Sequence, residues 1–220
     1  IFSLIGYINV NKFNNKNTII YATTKKNLLL AYIFKKLLRM SYIYHAHSFD
    51  DRSSIFYKII NPAYKKATKI ICVSNLIKSN INLSNCQTVY NPIKIINTKP
   101  KNINNKDKII VATFSTLIKL KGIEYFMKSF DYLKNKYKVE YWIFGDGQEK
   151  EYLQQFINDQ VILKGFATNS EELMLNTIDI VVVPSITEEA CPMVPLEAFK
   201  CGVPVISTNI GGQAEIVLDN

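Results

Sequence analysis

The chain has 220 residues, 48% of them hydrophobic, and a formal net charge of +9. That composition supports a sizeable core, and the length suits one large or two small domains. The four cysteines, Cys72, Cys86, Cys191 and Cys201, show neither zinc-ligand spacing nor a disulfide framework, which fits a reducing cytoplasm, and no apolar run approaches the ~20 residues of a membrane-spanning helix.

Residues 1–10 and 18–22 read as strands. The start has no basic flank or cleavage-like site, so it does not read as a signal peptide. Residues 25–39 carry Leu28, Leu29, Tyr32, Ile33 and Leu37 at helical spacing, with basic side chains on the outer face. A strand over residues 42–45 ends at His47-Ser48-Phe49. Residues 53–66 predict a helix that Pro62 breaks or kinks. Residues 69–73 are a strand, Ser74 caps a helix from Asn75, and residues 87–90 are a short strand closed by Asn91-Pro92.

Residues 93–107, rich in Lys and Asn with Pro100, read as an exposed linker. They place the domain boundary near residue 100, dividing the chain into 1–99 and 100–220. A second alternation follows: strand 109–114, a helix opened by Lys121-Gly122, strand 140–144, helix 149–157, strand 161–163, helix 171–176 and strand 179–183. Alternation of this kind predicts a parallel sheet in each half.

The charge is split along the same line. Residues 1–100 hold 15 Lys and Arg against 2 Asp and Glu, a balance of +13; residues 101–220 hold 12 against 16, a balance of −4. A basic first half suits an anionic membrane surface or a lipid-pyrophosphate acceptor. The basic outer face of the 25–39 helix is the part that could touch lipid headgroups. No RNA- or DNA-binding motif accompanies the charge, so nucleic acid is not an expected partner.

The most informative stretch runs from Pro184 to Ser207. An apolar run, Val181 to Val183, ends at Pro184 and Ser185 as a buried parallel strand does. A loop follows, then a helix with Pro195 in its first turn, stopping at Gly202. Residues 204–206 form the next strand. Glu189 and Glu197 bracket this strand-to-helix turn with seven residues between them. Ligands of open α/β sheets sit at the carboxyl ends of strands. Unbonded N–H groups at the helix start favour a phosphate, and a carboxylate can hold a vicinal diol with both oxygens. Two carboxylates alone could equally be favourable charge on a helix dipole, or solvated.

Further candidates lie elsewhere. Lys121 stands beside a helix start, as a phosphate-binding point charge would. Gly145-Asp146-Gly147 follows a strand and permits a tight turn, but falls short of a dinucleotide fingerprint. Phe166 could pack on a base or be a buried aromatic. His45 and His47 end a strand with no third metal ligand in view.

Taken together, Glu189-x7-Glu197, Ala198, Cys201-Gly202-x-Pro204-Val205-Ile206 and Gly211-Gly212-x-x-Glu215 resemble the donor site of family 4 glycosyltransferases of the GT-B fold. The resemblance is strong over 109–217 and weakest over 1–41. It implies two Rossmann-like parallel-sheet domains, an acceptor-side first domain and a donor-binding second one, each truncated here, since whole members are longer and this chain starts at Ile1. The activity implied is retaining transfer of a sugar from a nucleotide sugar, without metal or other cofactor. The acceptor would be a glycan or a polyprenyl-pyrophosphate-linked glycan, in bacterial surface polysaccharide synthesis, at the inner face of the plasma membrane. By the same resemblance, Glu189 and His47 face the reacting sugar, Lys121 the diphosphate, Glu197 the ribose, and Gly145, Phe166, Met193 and Val194 line the donor site. The family's loop arginine is replaced by Thr116. That departure keeps open a non-catalytic binding subunit; a sugar-nucleotide 2-epimerase is the other alternative.

Overall fold

A computed structural model describes residues 18–94, 96, 98–99 and 107–218; the strand expected over 1–10 lies outside them. The chain forms two compact units, 1–90 and 91–220. The division falls ahead of the Lys/Asn-rich stretch. Asn91 Nδ2 donates to the Cys191 carbonyl at 3.2 Å and Thr98 Oγ1 to the Lys200 carbonyl at 2.9 Å, so residues short of 100 already pack with the second unit.

In the first unit, β1 (Ile19–Ala22), β2 (Ser41–Ala46), β3 (Lys69–Cys72) and β4 (Cys86–Thr88) form a parallel sheet in the order β1-β2-β3-β4. Helix α1 (Lys25–Leu38) connects β1 to β2 and is capped by Thr24, which accepts from the Asn27 N–H. Helix α2 (Ile55–Lys66) connects β2 to β3, and α3 (Asn75–Ile81) follows with Ser74 as its cap, as expected. Helix α2 is not interrupted at Pro62. Its two halves are held by the burial of Ile60, Ala63 and Tyr64, by Tyr42 Oη donating to the Ala63 carbonyl at 2.5 Å, and by Lys35 Nζ on the Lys66 carbonyl at 2.8 Å. Those contacts offset the one backbone bond that proline removes. No helix among the described residues is long and apolar enough to cross a membrane.

The second unit has five parallel strands: β5 (Ile109–Phe114), β6 (Val139–Phe144), β7 (Val161–Gly165), β8 (Ile180–Val183) and β9 (Val205–Ser207), in the order β7-β6-β5-β8-β9. The chain winds outward from β5 to β7, then restarts beside β5 and winds the other way. Side chains alternate between faces. Val111, Tyr141 and Ile143 enter one core with Phe126 and Phe130 of α4 (Ile123–Leu133), where Phe126 and Tyr141 stack at 4.4 Å. Ala112, Phe144 and Val181 enter the other with Met174 of α6 (Ser170–Asn176) and Ala198 of α7 (Met193–Lys200). Burying such a ring or branched chain contributes about 1.5–3 kcal/mol each. The helix expected over 149–157 is instead α5 (Lys150–Leu153) followed by a 3₁₀ turn, Gln154–Phe156. The chain tightens there because Asn158 Oδ1 takes the N–H groups of Gln160 and Val161 to start the next strand.

The two windings meet where β5 pairs with β8, through Val111–Ile180 and Ala112–Val181. Asp179, fully buried, closes the foot of this junction: its N–H bonds the Ile110 carbonyl and its carboxylate accepts the Ile110 N–H, both at 2.9 Å. Crevices for ligands open at the carboxyl ends of strands at such a reversal point.

Candidate functional site

At the carboxyl end of that junction, three loops knit together. After β5, the Ser115 N–H bonds the Phe144 carbonyl and the Leu117 N–H the Asp146 carbonyl, both at 2.9 Å. After β6, the Gly145 N–H bonds the Gly165 carbonyl at 2.8 Å. After β8, the Ile186 N–H bonds the Leu120 carbonyl at 3.0 Å, which brings the β8–α7 loop against a 3₁₀ turn, Lys119–Lys121. Backbone bonds thus fix the spacing of side chains that lie far apart in sequence.

Lys121 and Glu189 face each other across these loops, Nζ to Oε2 at 2.8 Å, both largely shielded. Ser185 Oγ donates to the other oxygen of Glu189. Ser185 is in turn held by Thr208 Oγ1 on its carbonyl at 2.6 Å, and the Glu189 carbonyl takes the Gly212 N–H at 2.7 Å. The carboxylate is therefore fixed in position and direction. Lys121, Glu189, Met193 and Val194 line one cleft of about 110 Å³, with Thr116 and Ser185. Helix α7 begins at Met193 after Pro192, with no side chain capping it, so the first amides of the helix lack a partner of that kind.

A second cleft, of about 320 Å³, adjoins the first. Gly145, Phe166, Ser170 and Glu197 line it, and Phe114, Ser115 and Thr116 border both clefts. The Glu197 carboxylate takes no hydrogen bond from any described residue, unlike that of Glu189. Phe166 is 79% exposed, so it is no buried aromatic but an open ring at the cleft wall. Seven of the eight expected site residues thus gather on the second unit, around two adjoining clefts. Ser185, Thr208 and Gly212, which hold Glu189, were not assigned roles from sequence. Ser185 was findable as a hydroxyl at a strand end, four residues before the carboxylate; the Thr208 contact depends on a strand pairing that sequence does not spell out.

The eighth residue, His47, belongs to the first unit. It is exposed just beyond β2, and its ring lies 4.0 Å from that of His45. Tyr21 Oη meets His45 Nδ1 at 2.6 Å. Burial, and secondarily His47, push the His45 imidazole below its usual pKa. Among the described residues, no three His, Cys, Asp or Glu side chains are gathered as a metal site requires.

The comparisons with known proteins bear on the family and the fold. The family model described as glycosyl transferases group 1 matches residues 94–220. The glycosyltransferase MJ1607 of Methanocaldococcus jannaschii is 24% identical over 218 residues, covering 83% of this chain and 55% of its own. The O-antigen biosynthesis glycosyltransferase WclY of Escherichia coli is 30% identical over 109 residues, covering 47% of this chain and 30% of its own. The crystal structure of Anabaena Alr3699/HepE in complex with UDP superposes with a TM-score of 0.81 at 22% identity, over 93% of this chain and 63% of that one. This chain thus spans about half the length of the first relative, and the structural likeness shows the shared GT-B fold. With a family model over more than half its length and the matching two-sheet fold, the chain belongs to the group 1 glycosyl transferases.

Proposed function

We propose that the protein transfers a sugar from a nucleotide sugar, with retention of configuration, to a glycan or polyprenyl-pyrophosphate-linked acceptor in surface polysaccharide synthesis, on the cytoplasmic side of the membrane. The observation that carries this reading is the pairing of two adjoining clefts with opposite chemistry. One has an unbonded carboxylate, Glu197, beside an open ring, Phe166, suited to ribose and base. The other has Lys121, Glu189 and the start of α7, suited to a diphosphate and a sugar. The UDP bound to the Anabaena neighbour and the O-antigen role in the Escherichia coli relative's name support the same reading.

In this scheme the leaving diphosphate gains negative charge and the sugar ring positive charge. Lys121 and the first amides of α7 would stabilise the first without a metal, and the Glu189 carboxylate, aimed by Ser185, would stabilise the second. We assign no protein nucleophile.

Glu197→Ala should weaken nucleoside-diphosphate binding by about 1.5–3 kcal/mol, the worth of a charged hydrogen bond, with an unchanged melting temperature. Calorimetry with UDP and GDP checks it; equal affinities for parent and variant would overturn the ribose role. Incubation with labelled nucleotide sugars tests the activity itself, by slow hydrolysis or transfer.

Thr116 favours a second reading, a binding subunit without turnover. It is exposed and borders both clefts where the family has an arginine. Thr116→Arg should tighten diphosphate binding about tenfold through one added charged contact. If affinity and turnover stay put, another cation already serves that position.

A further inference from the structure

Helix α2 has two apolar faces, and only one of them serves the core. Ile60, Ala63 and Tyr64 are buried. Ile55 and Ile59, one helical turn apart, are 77% and 54% exposed; Pro62 continues their line and Phe56, 44% exposed, flanks it. Three large side chains stand in water on one helix, and no described residue covers them.

The surroundings of this stripe are basic and unopposed. Lys58 and Lys65 run along one side, Lys66 stands at its end and Arg52 precedes it. None of Lys58, Lys65 and Lys66 pairs with an acid among the described residues. The only acids in the first 100 residues, Asp50 and Asp51, are engaged elsewhere: Asp50 by Lys25 Nζ at 2.8 Å, Asp51 by the N–H and Oγ of Ser53. Of the four lysines of helix α1, three are engaged. Its Lys25 is paired, its Lys35 is bound to the Lys66 carbonyl, and its Lys36 lies over the Tyr32 ring.

We infer that the outward face of α2 docks the protein on an anionic lipid bilayer, with Ile55, Phe56 and Ile59 entering the headgroup–acyl boundary and Lys58, Lys65 and Lys66 meeting lipid phosphates. An apolar stripe edged by lysines matches an interface that is oily below and negative above. A nucleic acid would use the lysines but leave the stripe wet. Docking through α2 requires no donor and no turnover, so it stands or falls apart from the transfer reaction.

Co-sedimentation with phosphatidylcholine vesicles, with and without phosphatidylglycerol, tests it on the whole chain. Binding should require phosphatidylglycerol and weaken as salt rises. Replacing Lys58, Lys65 and Lys66 by Glu should weaken it about 100-fold or more, at ~1 kcal/mol per lost positive charge. Ile55→Ser/Phe56→Ser/Ile59→Ser should weaken it more than about tenfold with every charge intact. Lys136→Glu/Lys138→Glu, on the second unit, should leave it unchanged. All these positions are exposed, and melting curves report whether each variant folds. Vesicle binding by the serine variant equal to the parent's, no binding by the parent, or equal loss in the second-unit variant overturns the inference. So does a lipid-free parent dimer that the serine variant dissolves, since a second copy would then cover the face.

Discussion

Glu189→Gln should cut the rate of sugar transfer or hydrolysis by about 10²–10³-fold, the scale on which removal of one fixed electrostatic group acts. The substitution keeps shape and the contact with Ser185 while removing the charge. Nucleoside-diphosphate affinity should hold or rise, because Lys121 loses its 2.8 Å partner and turns wholly to the phosphate. Single-turnover assays with a labelled donor, read against calorimetry with the nucleotide, separate the two effects. A rate within threefold of the parent would remove Glu189 from the chemistry. A parallel fall in rate and nucleotide affinity would mean that the carboxylate serves mainly to place Lys121.

Gly145→Ala should destabilise the second unit by roughly 3–5 kcal/mol. Its φ of +143° lies where side-chain-bearing residues rarely go, and a Cβ there would sit 1.7 Å from the Ser115 carbonyl oxygen. Both partners are backbone, so no rotamer change relieves the clash. Gly165 is the matched control: its φ is +73° but no atom lies within 4 Å of a built Cβ, so Gly165→Ala should cost only about 1 kcal/mol. Urea unfolding of the two variants checks the contrast. Similar midpoints would show that the β5 and β6 loops do not approach as closely as the geometry requires.

Much of this architecture was legible because its signals are local. The strand over 109–114, the helix stop near Gly202 and the Ser74 cap each rest on a few adjacent residues. The two glutamates were legible because a strand end and a helix start fix where a ligand can sit. Pro62 does not break the helix, because its penalty is local while the contacts that offset it, from Tyr42 and Lys35, come from other elements. The supports of this carboxylate were hidden for the same reason: Thr208, which holds Ser185, and Gly212, which bonds the Glu189 carbonyl, approach only once β9 pairs with β8. Phe166 shows the converse, since an aromatic after a strand reads as core until the loop turns it outward.

The β5–β8 junction has a consequence for how the second unit assembles. Strands β5 to β7 join in sequence order, as do β8 and β9, so each half-sheet needs modest loop closure. Joining the halves brings Ile110 to Asp179 across 69 residues, the costliest closure in the sheet, and rewards it with only two register pairs against six between β5 and β6. The clefts lie over this late and narrow seam. A ligand spanning them would bridge the two half-sheets, worth about 2.7 kcal/mol at a hundredfold excess over its dissociation constant. Occupancy then decides how often the seam opens, and proteolytic lifetime becomes coupled to the supply of the ligand.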